Sequence, residues 1–152
     1  MAGIDHLREF GHYLSTKCGL QLGKSLFFDA MPTETSQAGG PAVFVFEQAG
    51  AAPALTMSTA LIRSLRFAID VRSTKPGSTQ SDYPDPTNAR NLAQTVWAAC
   101  AQLSGNLSST GASPSTGNWL YAIPQHDVYM AGRDNSNRIH FSFTVDAERQ
   151  GP

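Results

Sequence analysis

Four histidines and twelve carboxylates are the side chains of this 152-residue chain best suited to binding metal or moving protons. Their spacing argues against either role. His6 and His12 fall six apart in a helical stretch and point to different faces, and no pair has the i, i+4 spacing of a helical metal site. His126-Asp127 offers half of an acid–base pair with no nucleophile nearby, and His140 lies on the polar side of a predicted strand. These histidines read as solvated or interfacial. Asp134-Asn135-Ser136-Asn137 starts like a calcium loop but lacks the glycine and closing glutamate such a loop needs, so a turn between two strands fits better. Asp29, Glu47, Asp70 and Asp146 fall on separate predicted strands, and spacing alone pairs none of them.

Other motifs fail on context. Gly19-Leu20-Gln21-Leu22-Gly23-Lys24-Ser25 is one residue short of a phosphate-binding loop, and a helix precedes it where a strand is required. A helix stop followed by a strand start accounts for it. Cys18 and Cys100 each sit on the inner stripe of a predicted helix, which suits packed thiols. Asn106-Leu107-Ser108 is a glycosylation pattern only for a secreted chain. The aromatic residues follow core periodicity and are not interleaved with Arg and Lys as a base-stacking platform demands. The expectation is no catalytic, cofactor or metal site.

Arg63, Arg66 and Arg72 recur on one strand, with Asp70 between Arg66 and Arg72 on the same face. That pattern fits an exposed face of mixed charge. It also fits a partner surface, because the guanidinium fork favours bidentate contacts at interfaces.

Net charge is −1, which excludes a general nucleic-acid or membrane-surface binder. Charged residues make up 15%, against roughly 25% in ordinary soluble domains, so burial against other subunits is compatible with the surface. No apolar run approaches the roughly 20 residues that span a bilayer, and no signal-peptide core is present. A soluble protein made in a reducing cytoplasm is expected.

Two alternating runs, Leu65 to Arg72 and Arg138 to Val145, predict the longest strands. Helical spacing covers Ile4 to Cys18, with Gly19 as its left-handed stop. Shorter strands are expected at Lys24 to Asp29, Ala42 to Glu47 and Trp119 to Ile123. Asp85-Pro86 opens a second helix whose inner stripe runs from Ala89 to Leu103. Gln125 to Met130 is ambiguous. The order is α-β-β-β-α-β-β, an α+β fold with an antiparallel or mixed sheet and helices on one face. It is read as a single domain, 1–152, with long loops at 31–41, 73–84 and 104–118 and a fraying tail at 148–152.

The order and spacing of several segments resemble bacteriophage tail terminator proteins, also described as phage minor capsid or tail completion proteins. After the N-terminal helix come a strand ending in "LFFDAMP", then "AVFVFEQAG", then "LRFAIDVRS" with the Val-Arg pair of that family. The helix "ARNLAQTVWAACAQL" follows, and "YAIPQHDVYMAGRDNSNRIHFSFTVDAER" closes the pattern. The likeness runs from about residue 4 to 148; its motifs are loose, and the Ser/Thr-rich stretch at 104–118 departs from the shortest family patterns.

The resemblance implies a structural virion protein without catalysis. It implies a homohexameric ring that caps the tail tube, ends its polymerisation and offers the head-tail joining surface. Partners would be other copies, the tail tube protein and the connector or head-completion protein. Genomic DNA would pass through unrecognised, and assembly would take place in the host cytoplasm before the ring sits at the head-proximal end of the tail. A heterologous contact whose rotation closes makes such a ring, and pairing between exposed sheet edges would supply main-chain hydrogen bonds. Arg66, Asp70, Arg72, Asp134 and Arg138 are then the candidate interface residues. Another neck protein is the alternative within the virion class. A small α+β enzyme or ligand-binding domain using Trp119 to His126 is the alternative outside it.

Overall fold

Alternation of apolar and polar residues builds the two longest strands, β4 (Leu61–Arg72) and β7 (Ile139–Gln150). A computed structural model describes residues 6–28, 41–48, 54–55, 61–74, 87–103, 118–134 and 138–150. The other elements are α1 (His6–Cys18), β1 (Leu26–Phe28), β2 (Ala42–Gln48), β3 (Ala54–Leu55), α2 (Thr87–Ala101), β5 (Asn118–Pro124) and β6 (Tyr129–Arg133). The fold is α+β. Compared with the expected order it adds two short strands, β3 and β6, because pairing with a long neighbour stabilises segments too short to show a period of their own.

The sheet runs β1-β2-β4-β7-β5, with β3 also on β4 and β6 also on β7. β1 and β2 are parallel and all other pairs antiparallel, so the sheet is mixed. β4 and β7 pair from Ile62 opposite Gln150 to Arg72 opposite His140. This register sets Leu65, Phe67, Ile69 and Val71 opposite Ala147, Val145, Phe143 and Phe141, all on one face. Both helices pack on that face. Leu7, Phe10 and Leu14 of α1 and Ala89, Ala93, Val96 and Cys100 of α2 join these strand residues in one buried cluster. Phe10 stacks on Phe67 with ring centroids 4.4 Å apart, and Trp119 lies about 6 Å from both.

Local chemistry ends and seats α1. Gly19 takes φ 65°, which a side chain would resist, and Leu20 N–H donates back to Ser15 O at 3.1 Å, the bond of a Schellman stop. Gly11 faces β1 so closely that a Cβ there would lie 1.7 Å from Phe28 Cζ. Tyr13 hydroxyl donates to Ala99 O at 2.6 Å and ties the two helices together. Cys100 is fully buried and Cys18 packs against the same cluster, both as free thiols.

The tail expected to fray at 148–152 is ordered strand through Gln150. Asn118 pairs with Gln150, and Arg149 points inward to Glu9 of α1, with Nε–Oε2 2.8 Å and Nη2–Oε1 3.2 Å. Charge at 148 and 149 suggests solvent, but a paired and hydrogen-bonded charge can be buried. The loops at 31–41, 73–84 and 104–118 lie almost wholly outside the described residues, as do the Asp85-Pro86 helix start and Asn135 to Asn137.

Candidate assembly surface

The face of β4 and β7 turned away from the helices carries the even-numbered residues. Register brings them into rows: Arg66 beside Asp146, Asp70 beside Ser142, and Arg72 beside His140. Arg66 Nε and Nη2 donate to the two carboxylate oxygens of Asp146 at 2.6 and 2.9 Å, a bidentate fork on the exposed surface. That hydrogen bond pushes the guanidinium pKa still higher. On the adjoining edge Tyr121 stands opposite Glu148 and Ile123 opposite Asp146. The hydrogen bond to Glu148 keeps the Tyr121 phenol protonated above its usual range. Ser64, Arg66, Tyr121, Asp146 and Glu148 enclose a shallow cavity of about 170 Å³.

Further along the same face, His140 lies between two carboxylates. Its Nδ1 is 2.6 Å from Asp70 Oδ2, and its Nε2 is 2.8 Å from Asp134 Oδ2. Ser142 hydroxyl donates to Asp70 Oδ1 at 2.9 Å, and Arg138 N–H donates to Asp134 Oδ1 at 3.0 Å. The hydrogen bond with Asp70 raises the His140 pKa most, Asp134 adds to it, and partial burial opposes both. Serine, histidine and aspartate meet here, yet the geometry is not that of an activated nucleophile. Ser142 donates to the carboxylate and both imidazole nitrogens are occupied, so neither nitrogen is free to take a proton from the hydroxyl. Among the described residues no group of three or more His, Cys, Asp or Glu could hold a metal ion.

The five residues singled out from the sequence divide in two. Arg66 is exposed, and Asp70 and Asp134 are half-buried on the open face or its bordering turn. Arg72 and Arg138 are buried, at 3% and 1% exposure. Arg72 places its guanidinium 4.9 Å from the Phe44 ring centroid, so strand alternation alone does not make it a surface residue.

The β5–β6 edge is apolar. Of the large hydrophobic side chains exposed among the described residues, Leu120, Tyr121, Ile123, Tyr129 and Met130 lie on these two strands, and Leu22 lies elsewhere. Both strands shift register, between Trp119 and Tyr121 and between Met130 and Gly132, and Pro124 lacks an N–H. Bulges and proline blunt a strand edge against pairing. This edge therefore offers a partner its side chains more than its main chain. Trp97 Nε1–H donates to His126 O at 2.9 Å and anchors the β5–β6 connection to α2.

Asp70 and Asp134 were singled out from the sequence as interface residues, but their meeting with His140 and Ser142 was not, although the signal was present. Asp70 and Ser142 share the polar phase of two long alternating strands, and His140 precedes Ser142 by two residues.

No helix among the described residues is long and apolar enough to cross a membrane. No protein-family model and no curated protein sequence matches the chain. Among solved structures the chain is similar to a chain from the "Virion of native gene transfer agent (GTA) particle". The TM-score is 0.52 at 15% identity, and the match covers 97% of this chain and 87% of that one. At this identity the likeness is one of fold.

Proposed function

We propose that this chain is a structural virion protein that closes into a ring on the tail tube, ends tube polymerisation and presents the head-tail joining surface. The observation that carries the proposal is the fold likeness to a virion chain over nearly the full length of both molecules. The order of sequence segments shared with tail terminators supports the finer role. The protein works without catalysis, at the head-proximal end of the tail, after assembly in the host cytoplasm. Its partners are other copies in a homohexamer, the tail tube protein and the connector or head-completion protein. DNA passes through without specific contacts.

The open sheet face and the β5–β6 edge supply the contacts in this reading. Arg66, Asp70 and Asp134 offer fixed charges at hydrogen-bonding distance from defined partners, and Tyr121, Ile123, Tyr129 and Met130 offer apolar area beside them. Arg72 and Arg138 support that face from within. Fixed charge beside apolar area is the composition of a specific protein interface.

Native mass and negative-stain imaging test the reading, with the protein alone and mixed with its tail tube. The expected result is rings of about six subunits with a central hole, formed alone or on the tube. A chain that stays monomeric in both conditions overturns it. A neck component of another kind would ring without capping: tubes would then grow to uncontrolled length in its presence.

A further inference from the structure

We infer that His140 is a proton-operated clasp that links Asp134, just after β6, to Asp70 of β4. This goes beyond the assembly role and stands without it. The argument begins with hydrogen-bond chemistry. An ionised carboxylate only accepts, so each of the two contacts to His140 needs an N–H on the ring. A neutral imidazole has one N–H; an imidazolium has two. With Asp70 and Asp134 both ionised, the observed geometry belongs to the charged ring.

The two carboxylates come from different elements. Asp70 belongs to β4, whereas Asp134 follows β6 and accepts the Arg138 amide across the turn. Asp134 N–H also donates to Arg138 O at 3.0 Å, so the base of the turn closes on itself. The protonated ring is thus a bridge between the turn and a strand that β6 does not itself pair with. The other charged groups around it are Arg72, directly opposite on β4, Arg133 at the end of β6, and Arg138. Its β7 neighbour Ser142 carries no charge, and Phe44 of β2, opposite Asp70, is apolar. The His140 side chain is 13% exposed, so water replaces lost contacts poorly.

Loss of the proton breaks one contact and leaves a ring lone pair facing a carboxylate. The Asp70 contact is the shorter, and Ser142 fixes that carboxylate from its other oxygen. Nδ1 therefore keeps its hydrogen, Nε2 gives its proton to solvent, and the contact between His140 and Asp134 is lost. The two hydrogen bonds between Asp134 and Arg138 remain, but the link through the ring from Asp134 to Asp70 of β4 is gone.

Nitrogen-15 side-chain spectra of the labelled protein, titrated through neutral and alkaline pH, test this directly. The expected result is a His140 midpoint above the usual 6.5, a deprotonated form carrying hydrogen on Nδ1, and Asp134 and Arg138 amide shifts that follow the same midpoint. Asp134→Asn should lower that midpoint, and Asp70→Asn should lower it further. A wild-type midpoint at or below 6.5 overturns the inference, as does loss of the Nδ1 hydrogen first or amide shifts indifferent to the titration. The wild-type titration decides the matter even if a variant fails to fold.

Discussion

Glu9 and Arg149, 140 positions apart, meet in an ion pair whose side chains are 1% and 0% exposed. The contact fixes α1 against the end of β7, where the sheet passes under the helix. A pair taken so completely out of water is sensitive to the loss of either member, because the survivor is left charged and buried.

Glu9→Gln and Arg149→Met should each lower unfolding free energy by about 3–5 kcal/mol. The double variant Glu9→Leu/Arg149→Met should recover most of the loss, since apolar side chains of similar volume need no partner. Urea unfolding of the three variants reads the effect. Single variants as stable as the parent would remove the pair from the account of stability.

Gly11→Ala should destabilise by about 1–3 kcal/mol, because the new methyl group overlaps the Phe28 ring and forces it aside. In a Phe28→Ala background the same change should be neutral or stabilising by up to about 1 kcal/mol, the helix preference of alanine over glycine. A double-mutant cycle measures the difference. Equal effects in both backgrounds would show that the ring is not what Gly11 accommodates.

Charge reversal separates exposed from buried arginines. Arg66→Glu should leave the urea midpoint of the monomer unchanged while impairing ring formation, and Arg66→Asp with Asp146→Arg should restore rings in part. Arg72→Glu should instead lower the monomer's stability, through an unpaired buried charge and loss of the Phe44 contact. Denaturation and native mass on the same samples distinguish the two. Intact rings with Arg66→Glu would take that arginine out of the interface.

Stability should fall on the alkaline side. The folded pKa of His140 is raised, so its contribution is complete below the unfolded value of 6.5 and disappears as pH rises through the folded value. Asp70→Asn removes the main cause of the shift and should flatten this dependence. Thermal melts across the window compare parent and variant; identical pH profiles would refute the linkage.

Much of the fold was legible because alternation is a strong signal where one face is buried. Leu65 to Val71 and Ile139 to Val145 announced both phase and pairing partner class, and Gly19 marked its helix stop. The same alternation runs on through Ala147 to Arg149 and puts Arg149 on the inner face, where the sequence suggested a fraying tail. Glu9 lies on a different side of the helix from the stripe of Leu7, Phe10 and Leu14, so periodicity did not foretell its burial, which the ion pair with Arg149 explains. β6 was hidden because Tyr129 to Arg133 has no burial period, and among the described residues only β7 pairs with it. The His140 cluster draws on three elements, and register between distant strands is not encoded locally. The exposed aromatic residues of β5 and β6 carried the opposite ambiguity, since core and contact surface use the same side chains.

β7 is the one strand shared by β4, β5 and β6, and the ribosome makes it after all three. Until it emerges, β5 and β6 have no other strand partner among the described residues, and one edge of β4 waits unpaired. β4 therefore waits for this partner while about half of the chain is made, whereas β5 and β6 meet theirs soon after they emerge. Closure then depends on contacts between residues far apart in the chain, an arrangement that slows folding and lengthens the interval in which a chaperone, or a second unfinished copy, can reach them first.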